Sequence, residues 1–136
     1  MTDDGFALHP VGRVESPLTD PGTAPKQGDE GAPEAWLVFA EAYGPALDGV
    51  RAGTDALVLT WLDRARRDVL AVHPRGEESR PRTGVFATRS PHRPNPIGLH
   101  RVRILEVDGV RVRVADLEAV DGTPVLDLKP VLDGER

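Results

Sequence analysis

The apolar positions of this chain fall in short runs, and no 3.6-residue apolar period is sustained anywhere. Trp36–Ala40 (WLVFA) and Ala56–Leu62 (ALVLTWL) are runs of strand length, as expected for strands buried against a core. Leu8–Val14 predicts a first strand and Thr123–Leu132 a last one; Val69–His73 and Gly84–Thr88 are shorter strand-like stretches. Leu99–Val107 and Val110–Ala115 flank Asp108-Gly109, a strong hairpin signal. A two-residue turn there sets Glu106 opposite Arg111 as a cross-strand pair. Between these elements, Ser16–Pro33 reads as a long loop, Pro45–Gly53 as a turn or single helical turn, and Arg75–Arg82 as a charged, exposed stretch. With 14 glycines and 13 prolines the chain is punctuated too often for long helices. The expectation is an all-β domain, barrel or sandwich, with short helical turns.

Composition narrows the class. A chain of 136 residues is the size of one domain, 1–136. No apolar run approaches the roughly 20 residues that span a bilayer, and the acidic start Met1-Thr-Asp-Asp lacks the shape of a signal peptide. The absence of cysteine removes disulfides, iron–sulfur clusters and thiol catalysis, and fits a cytoplasmic protein. The four histidines (His9, His73, His92, His100) show no metal-ligand spacing, so no metal is expected. No dinucleotide fingerprint, Walker loop or nucleophile elbow occurs.

Charge is unevenly placed. Arg64–Arg113 holds 12 arginines against 5 acids, a balance of +7, in a chain whose net charge is −5. Arginine binds phosphate and carboxylate bidentately, so this basic middle predicts an anionic partner. Within it lies Gly84–Leu99 (GVFATRSPHRPNPIGL). Pro91, Pro94 and Pro96 stiffen that segment, and a stiff loop holds its Arg, Ser, His and Asn side chains in place for a ligand. Asp121-Gly-Thr-Pro124 is a turn signature, and Asp127 and Lys129 share a strand face as an exposed pair.

GVFATRSPHRPNPIGL followed by Asp121–Pro130 (DGTPVLDLKP) resembles the TsaA-like, or TrmO, family over nearly the whole chain, from about Leu8 to Leu132. The resemblance implies a small β-barrel, a homodimer, and S-adenosylmethionine-dependent methylation of the exocyclic amine of threonylcarbamoyl-adenosine in tRNA. It further implies a short form that lacks the C-terminal domain of the bacterial tRNA-modifying members. Carried over by position, it places Gln27 and Gly28 of the first loop, Asp63 and Arg64 at the end of the central strand, Arg89, Leu99, and the segment Glu118, Ala119, Val120 and Asp121 around the cofactor. In this reading Arg89 holds the cofactor carboxylate and backbone near Val120 reads the adenine edge. Asp63-Arg64 replaces the His-Gln of longer members, and His92 stands where the family often has Phe. The substrate surface falls on Arg64, Arg66, Arg67, Arg89, Arg93 and Asn95, and the candidates for a base are His92, His100 and Asp127. Two other readings stay open: a methyltransferase of the same fold acting on a small molecule, and a non-catalytic cofactor-binding domain.

Overall fold

The computed structural model describes residues 5–20, 22, 25, 31–74 and 77–134. Among the described residues eight strands form, β1 (Gly12–Glu15), β2 (Ala35–Phe39), β3 (Asp55–Trp61), β4 (Ala71–Val72), β5 (Thr83–Gly84), β6 (Ile97–Asp108), β7 (Arg111–Ala115) and β8 (Pro124–Pro130). Six of them close a barrel in the order β1-β2-β7-β6-β3-β8, every neighbouring pair antiparallel, while β4 and β5 make a separate two-stranded ribbon. Alternation explains the closure. Ala56, Val58 and Thr60 of β3, Val102 and Ile104 of β6, and Val112 and Val114 of β7 are all buried, while their neighbours face out. Leu37, Phe39, Val14, Val125 and Leu117 complete the core. Among the described residues no helix is long and apolar enough to cross a membrane.

The strands predicted at Ala56–Leu62, Trp36–Ala40, Val69–His73 and Thr123–Leu132 form close to their expected places. Four details differ. The first strand starts at Gly12 instead of Leu8, because Pro10 has no N–H to give a ladder. Gly84–Thr88 is mostly a 3₁₀ turn, Val85–Ala87, closed by the bond from Thr88 N–H to the Val85 carbonyl at 3.0 Å. The turn expected at Pro45–Gly53 is a seven-residue 3₁₀ helix, Glu41–Leu47, whose Leu47 is its buried anchor. The hairpin turns one residue later than Asp108-Gly109. Asp108 pairs with Arg111, leaving Gly109-Val110 as the loop with Gly109 at φ 61, the arrangement of a turn with glycine first. Glu106 therefore faces Arg113 at 3.1 Å, and Arg111 reaches Glu15 and stacks over Trp36 at 4.8 Å.

Candidate functional site

Antiparallel closure sends three long connections to one end of the barrel. β1 leaves for β2 there, β3 for β6, and β7 for β8, because the C-terminal residues of β1, β3 and β7 lie beside the N-terminal residues of β2, β6 and β8. The other end carries the β2–β3 connection and the tight β6–β7 turn. Nearly every residue singled out in the sequence belongs to the three long connections.

The connections are tied to one another. Asp121 joins the first to the third: its N–H donates to the Leu18 carbonyl at 2.7 Å, and its Oδ1 accepts from Ser16 N–H at 3.0 Å. Arg64 joins the first to the second through the Thr19 carbonyl at 3.1 Å. Within the second, the segment after β3 is zipped to the proline-rich loop. Leu62 N–H donates to the Pro96 carbonyl at 2.8 Å, Arg66 N–H to His92 Nδ1 at 3.0 Å, and Arg93 N–H to the Arg66 carbonyl at 3.1 Å. The third connection leaves β7 through Asp116 at φ 68, a left-handed turn that Asp tolerates. The chain then buries Leu117 and turns Glu118 inward onto His100.

The structure thus brings Asp63, Arg64, Arg66, Arg67, Arg89, His92, Arg93, Asn95 and Glu118–Asp121 to one end. Gln27 and Gly28 lie outside the described residues. Leu99 is one step away, on the outer wall, opposite Leu59 and 43% exposed.

The arginines divide into two groups. On the barrel wall Arg101 and Arg103 share Asp55, Arg111 meets Glu15, and Arg113 meets Glu34 and Glu106. At the loop end, among the described residues, Arg64, Arg67, Arg82, Arg89 and Arg93 have no carboxylate partner. Arg67 and Arg93 are nonetheless occupied. Arg67 donates to the Pro94 carbonyl at 2.7 Å and to Asn95 Oδ1 at 3.1 Å while stacking over Trp61 at 5.3 Å. Arg93 turns back onto the carbonyls of Thr88 and Ser90. These two, with Asn95, hold the loop in shape. Arg66 forks onto Asp68 at 2.9 and 3.0 Å, so its charge is cancelled locally. Arg82 and Arg89 are left exposed, with no carboxylate partner among the described residues. Arg66, Asp68 and Arg82, with Val69, Leu70 and Ala71, line an open cleft of about 520 Å³.

The hydrogen bonds from Arg66 hold the Asp68 carboxyl below its ordinary range, against a smaller opposing effect of desolvation. A lowered value means the pair's contribution is present above pH ~3.9 and is lost only as the pH falls through the folded value below that. Following the Asp68 carboxyl carbon by NMR should give a midpoint below ~3.9; one at or above it would mean that the fork does not persist in solution.

The three candidate bases are all engaged. His92 spends its Nδ1 lone pair on Arg66 N–H, so its neutral form carries the proton on Nε2. His100 is inside the barrel between Thr60 and Glu118. Asp127, on the outer wall, accepts from Leu128 N–H at 2.8 Å and pairs with Lys129 at 3.5 Å. Sequence reasoning missed Thr60, Asp68 and Arg82. Only Thr60 left a signal, as a polar residue at an inward position of an apolar strand.

Fold and site together define a small antiparallel barrel that gathers arginines, a stiffened proline-rich loop and the 118–121 segment at one end, a frame for an anionic or zwitterionic ligand. Residues 13–134 match the tRNA-methyltransferase O N-terminal domain family, and the chain belongs to that family. It is similar to a protein of Methanothermobacter thermautotrophicus named a probable S-adenosyl-L-methionine-binding protein, 44% identical over 130 residues, which span 96% of this chain and 93% of that one. It is likewise similar to an S-adenosyl-L-methionine-binding protein of Archaeoglobus fulgidus, 43% identical over 122 residues, or 90% and 86% of the two chains. Among solved structures it is similar to TrmO from Pseudomonas aeruginosa, with a TM-score of 0.76 and 27% identity, covering 95% of this chain but 57% of that one.

Proposed function

We propose that this chain binds S-adenosylmethionine at the loop end of its barrel and directs its methyl group to tRNA, the exocyclic amine of threonylcarbamoyl-adenosine being the acceptor. One observation carries this reading: the three long connections converge and bond to one another at the positions that the family resemblance assigns to the cofactor. The names of the family and of the archaeal relatives support it.

The residues gathered there fit such a molecule. Arg89 offers an exposed guanidinium with no carboxylate partner among the described residues, suited to a carboxylate. The 118–121 segment brings main-chain donors and acceptors to the same end. When bound, the cofactor supplies an electrophilic methyl group on a sulfonium. The chain's own part is positional. Pro91, Pro94 and Pro96, with the bonds of Arg67 and Arg93, hold a rigid loop, and rigid placement for in-line approach supplies much of the acceleration in such a transfer. No proton transfer is assigned to His92, His100 or Asp127, since each is engaged elsewhere.

Two measurements test the reading. Calorimetry should show S-adenosylmethionine binding, unchanged by EDTA, and Arg89→Ala should weaken it about 10- to 100-fold. Nucleoside mass spectrometry should show methylated threonylcarbamoyl-adenosine in tRNA from cells carrying the gene and its loss on deletion. A second reading, a methyltransferase with a small-molecule acceptor or a binding domain without catalysis, is favoured by the pairing of the barrel-wall arginines with acids. It becomes the better one if cofactor binds and the nucleoside profile does not change. We place the protein in the cytoplasm as a homodimer. Ile97 and Leu99, 41% and 43% exposed on the outer wall, suit a covered face, and a strict monomer in sedimentation at micromolar concentration would remove that assembly.

A further inference from the structure

The barrel interior is apolar except beneath the loop end. There Thr60, on β3, and His100, on β6, are 0% and 5% exposed and face each other. Thr60 Oγ1 lies 2.7 Å from His100 Nε2, and His100 Nδ1 lies 2.5 Å from Glu118 Oε1. A carboxylate only accepts, so Nδ1–H is the donor to Glu118, and in the neutral ring Nε2 accepts from the Thr60 hydroxyl. The order is fixed: the Thr60 hydroxyl, the imidazole, then a carboxylate at the mouth.

Gly98 keeps this line clear. A Cβ at that position would run into Thr60 Oγ1 and come 2.6 Å from His100 Nε2. Three polar side chains inside a small barrel are weak evidence for stability, because a well-packed apolar set commonly serves at least as well. What the line does accomplish is to fix one oxygen of Glu118. The other, Oε2, has no hydrogen bond to any described residue, and no buried side-chain polar atom among them lacks a partner, so Oε2 reaches solvent. Glu118 is a carboxylate 15% exposed, anchored through one oxygen and open through the other. It stands three residues from Asp121, which ties the loops together.

Glu118 is one of the positions that the family resemblance sets around the cofactor; we propose that His100, backed by Thr60, is the positioning residue that aims its free Oε2 at a hydrogen-bond donor on the bound cofactor. This rests on the S-adenosylmethionine reading above. An acceptor-only oxygen at the mouth calls for a ligand hydroxyl or ammonium, and S-adenosylmethionine carries both, as ribose hydroxyls and as the amino-acid ammonium. Preorganisation gives the strut its value: a carboxylate already held in place loses less side-chain freedom when the ligand arrives.

The test is calorimetry on the whole chain with three probes: S-adenosylmethionine, S-adenosylhomocysteine, and 5′-methylthioadenosine, which keeps the ribose hydroxyls and lacks the ammonium. Glu118→Gln keeps shape while replacing one carboxylate oxygen with a donor. It should leave the melting temperature nearly unchanged and weaken the first two probes about 10- to 100-fold, the range of a hydrogen bond to a charged group. An equal loss for 5′-methylthioadenosine assigns the donor to the adenosine part, a ribose hydroxyl or the adenine amine; a loss confined to the other two assigns it to the ammonium. His100→Gln should weaken binding in the unaltered background and have no further effect on top of Glu118→Gln, whereas a merely structural His100 would subtract the same amount in both. Thr60→Val, close in shape, should give a smaller loss in the same direction. If the unaltered protein binds and Glu118→Gln binds within twofold of it, the role of Glu118 is overturned. Equal losses from His100→Gln in both backgrounds overturn the positioning role of His100. If the unaltered protein binds none of the probes, the cofactor reading itself fails, and this inference with it.

Discussion

Replacing Gly12 with alanine is expected to destabilise the protein by about 3 kcal/mol, at the upper end of the usual range for overpacking. Gly12 opens β1 and pairs on one side with Phe39 and on the other with Val125, so it stands where the barrel closes. A Cβ there would collide with the Val38 carbonyl oxygen and come 3.0 Å from the Phe39 Cα. Both obstacles are backbone, fixed by the β1–β2 ladder, so neither can swing away as a side chain could. Glycine inside a strand commonly marks such a close approach. For a chain of this size, about 4 °C of melting temperature accompanies each kcal/mol, so thermal unfolding should shift down by about 12 °C. Gly49→Ala is a useful contrast. Its added Cβ meets nothing within 4 Å, but φ is 91, so any cost there comes from backbone strain. A Gly12→Ala protein that melts within 2 °C of the unaltered one, by the same conversion less than about 0.5 kcal/mol, would mean that β1 is not locked into the barrel.

The barrel was legible wherever an apolar run had no competing signal. Ala56–Leu62 became β3 and Trp36–Ala40 became β2 because burial and strand propensity agreed. The hairpin was legible as a hairpin but not in its register. Asp108-Gly109 and Gly109-Val110 are both workable two-residue turns, and the barrel selects the second by pairing Val107 with Val112 and Asp108 with Arg111. The 3₁₀ turn at Val85–Ala87 went unseen because GVFAT has strand composition, while in the fold Val85 is buried, its N–H bonds the Leu70 carbonyl, and its own carbonyl takes Thr88 N–H. The site was legible as motifs and not as an assembly. Nothing local says that Asp121 will hold Ser16 and Leu18, or that Arg67 will reach Pro94 and Asn95. Those contacts join residues far apart in the chain, and they follow from where an antiparallel barrel sends its connections. The basic balance of Arg64–Arg113 was misleading in part, since sequence counts charge and only the fold shows that four of its arginines lie beside acids on the barrel wall.

That division of charge makes two opposite predictions for tRNA binding. In the cleft beside the β4–β5 ribbon, Arg82 is exposed, with no carboxylate partner among the described residues, while Arg66 is cancelled by Asp68. If tRNA docks there, each phosphate contact releases counterions and adds about 0.7–0.9 to the slope of log affinity against log salt. Arg82→Ala should therefore make the slope shallower by about 0.9 and weaken binding several-fold at 0.1 M salt. Asp68→Asn should do the reverse: it leaves Arg66 with its charge uncancelled, steepening the slope by about the same amount and tightening binding. Neither residue belongs to the cofactor positions, so affinity for S-adenosylmethionine should not move in either variant. The two changes shift net charge in opposite directions, by one unit each. A non-specific effect of overall charge would thus give the same pair of signs, and a control is needed away from the site. Arg51→Ala removes one exposed cation from the β2–β3 connection at the far end of the barrel. Docking at the cleft requires that Arg51→Ala leave the slope alone while Arg82→Ala flattens it. Equal flattening by both would reduce the interaction to bulk electrostatics, and absence of tRNA binding even at low salt, with cofactor still bound, would move the acceptor to a small molecule.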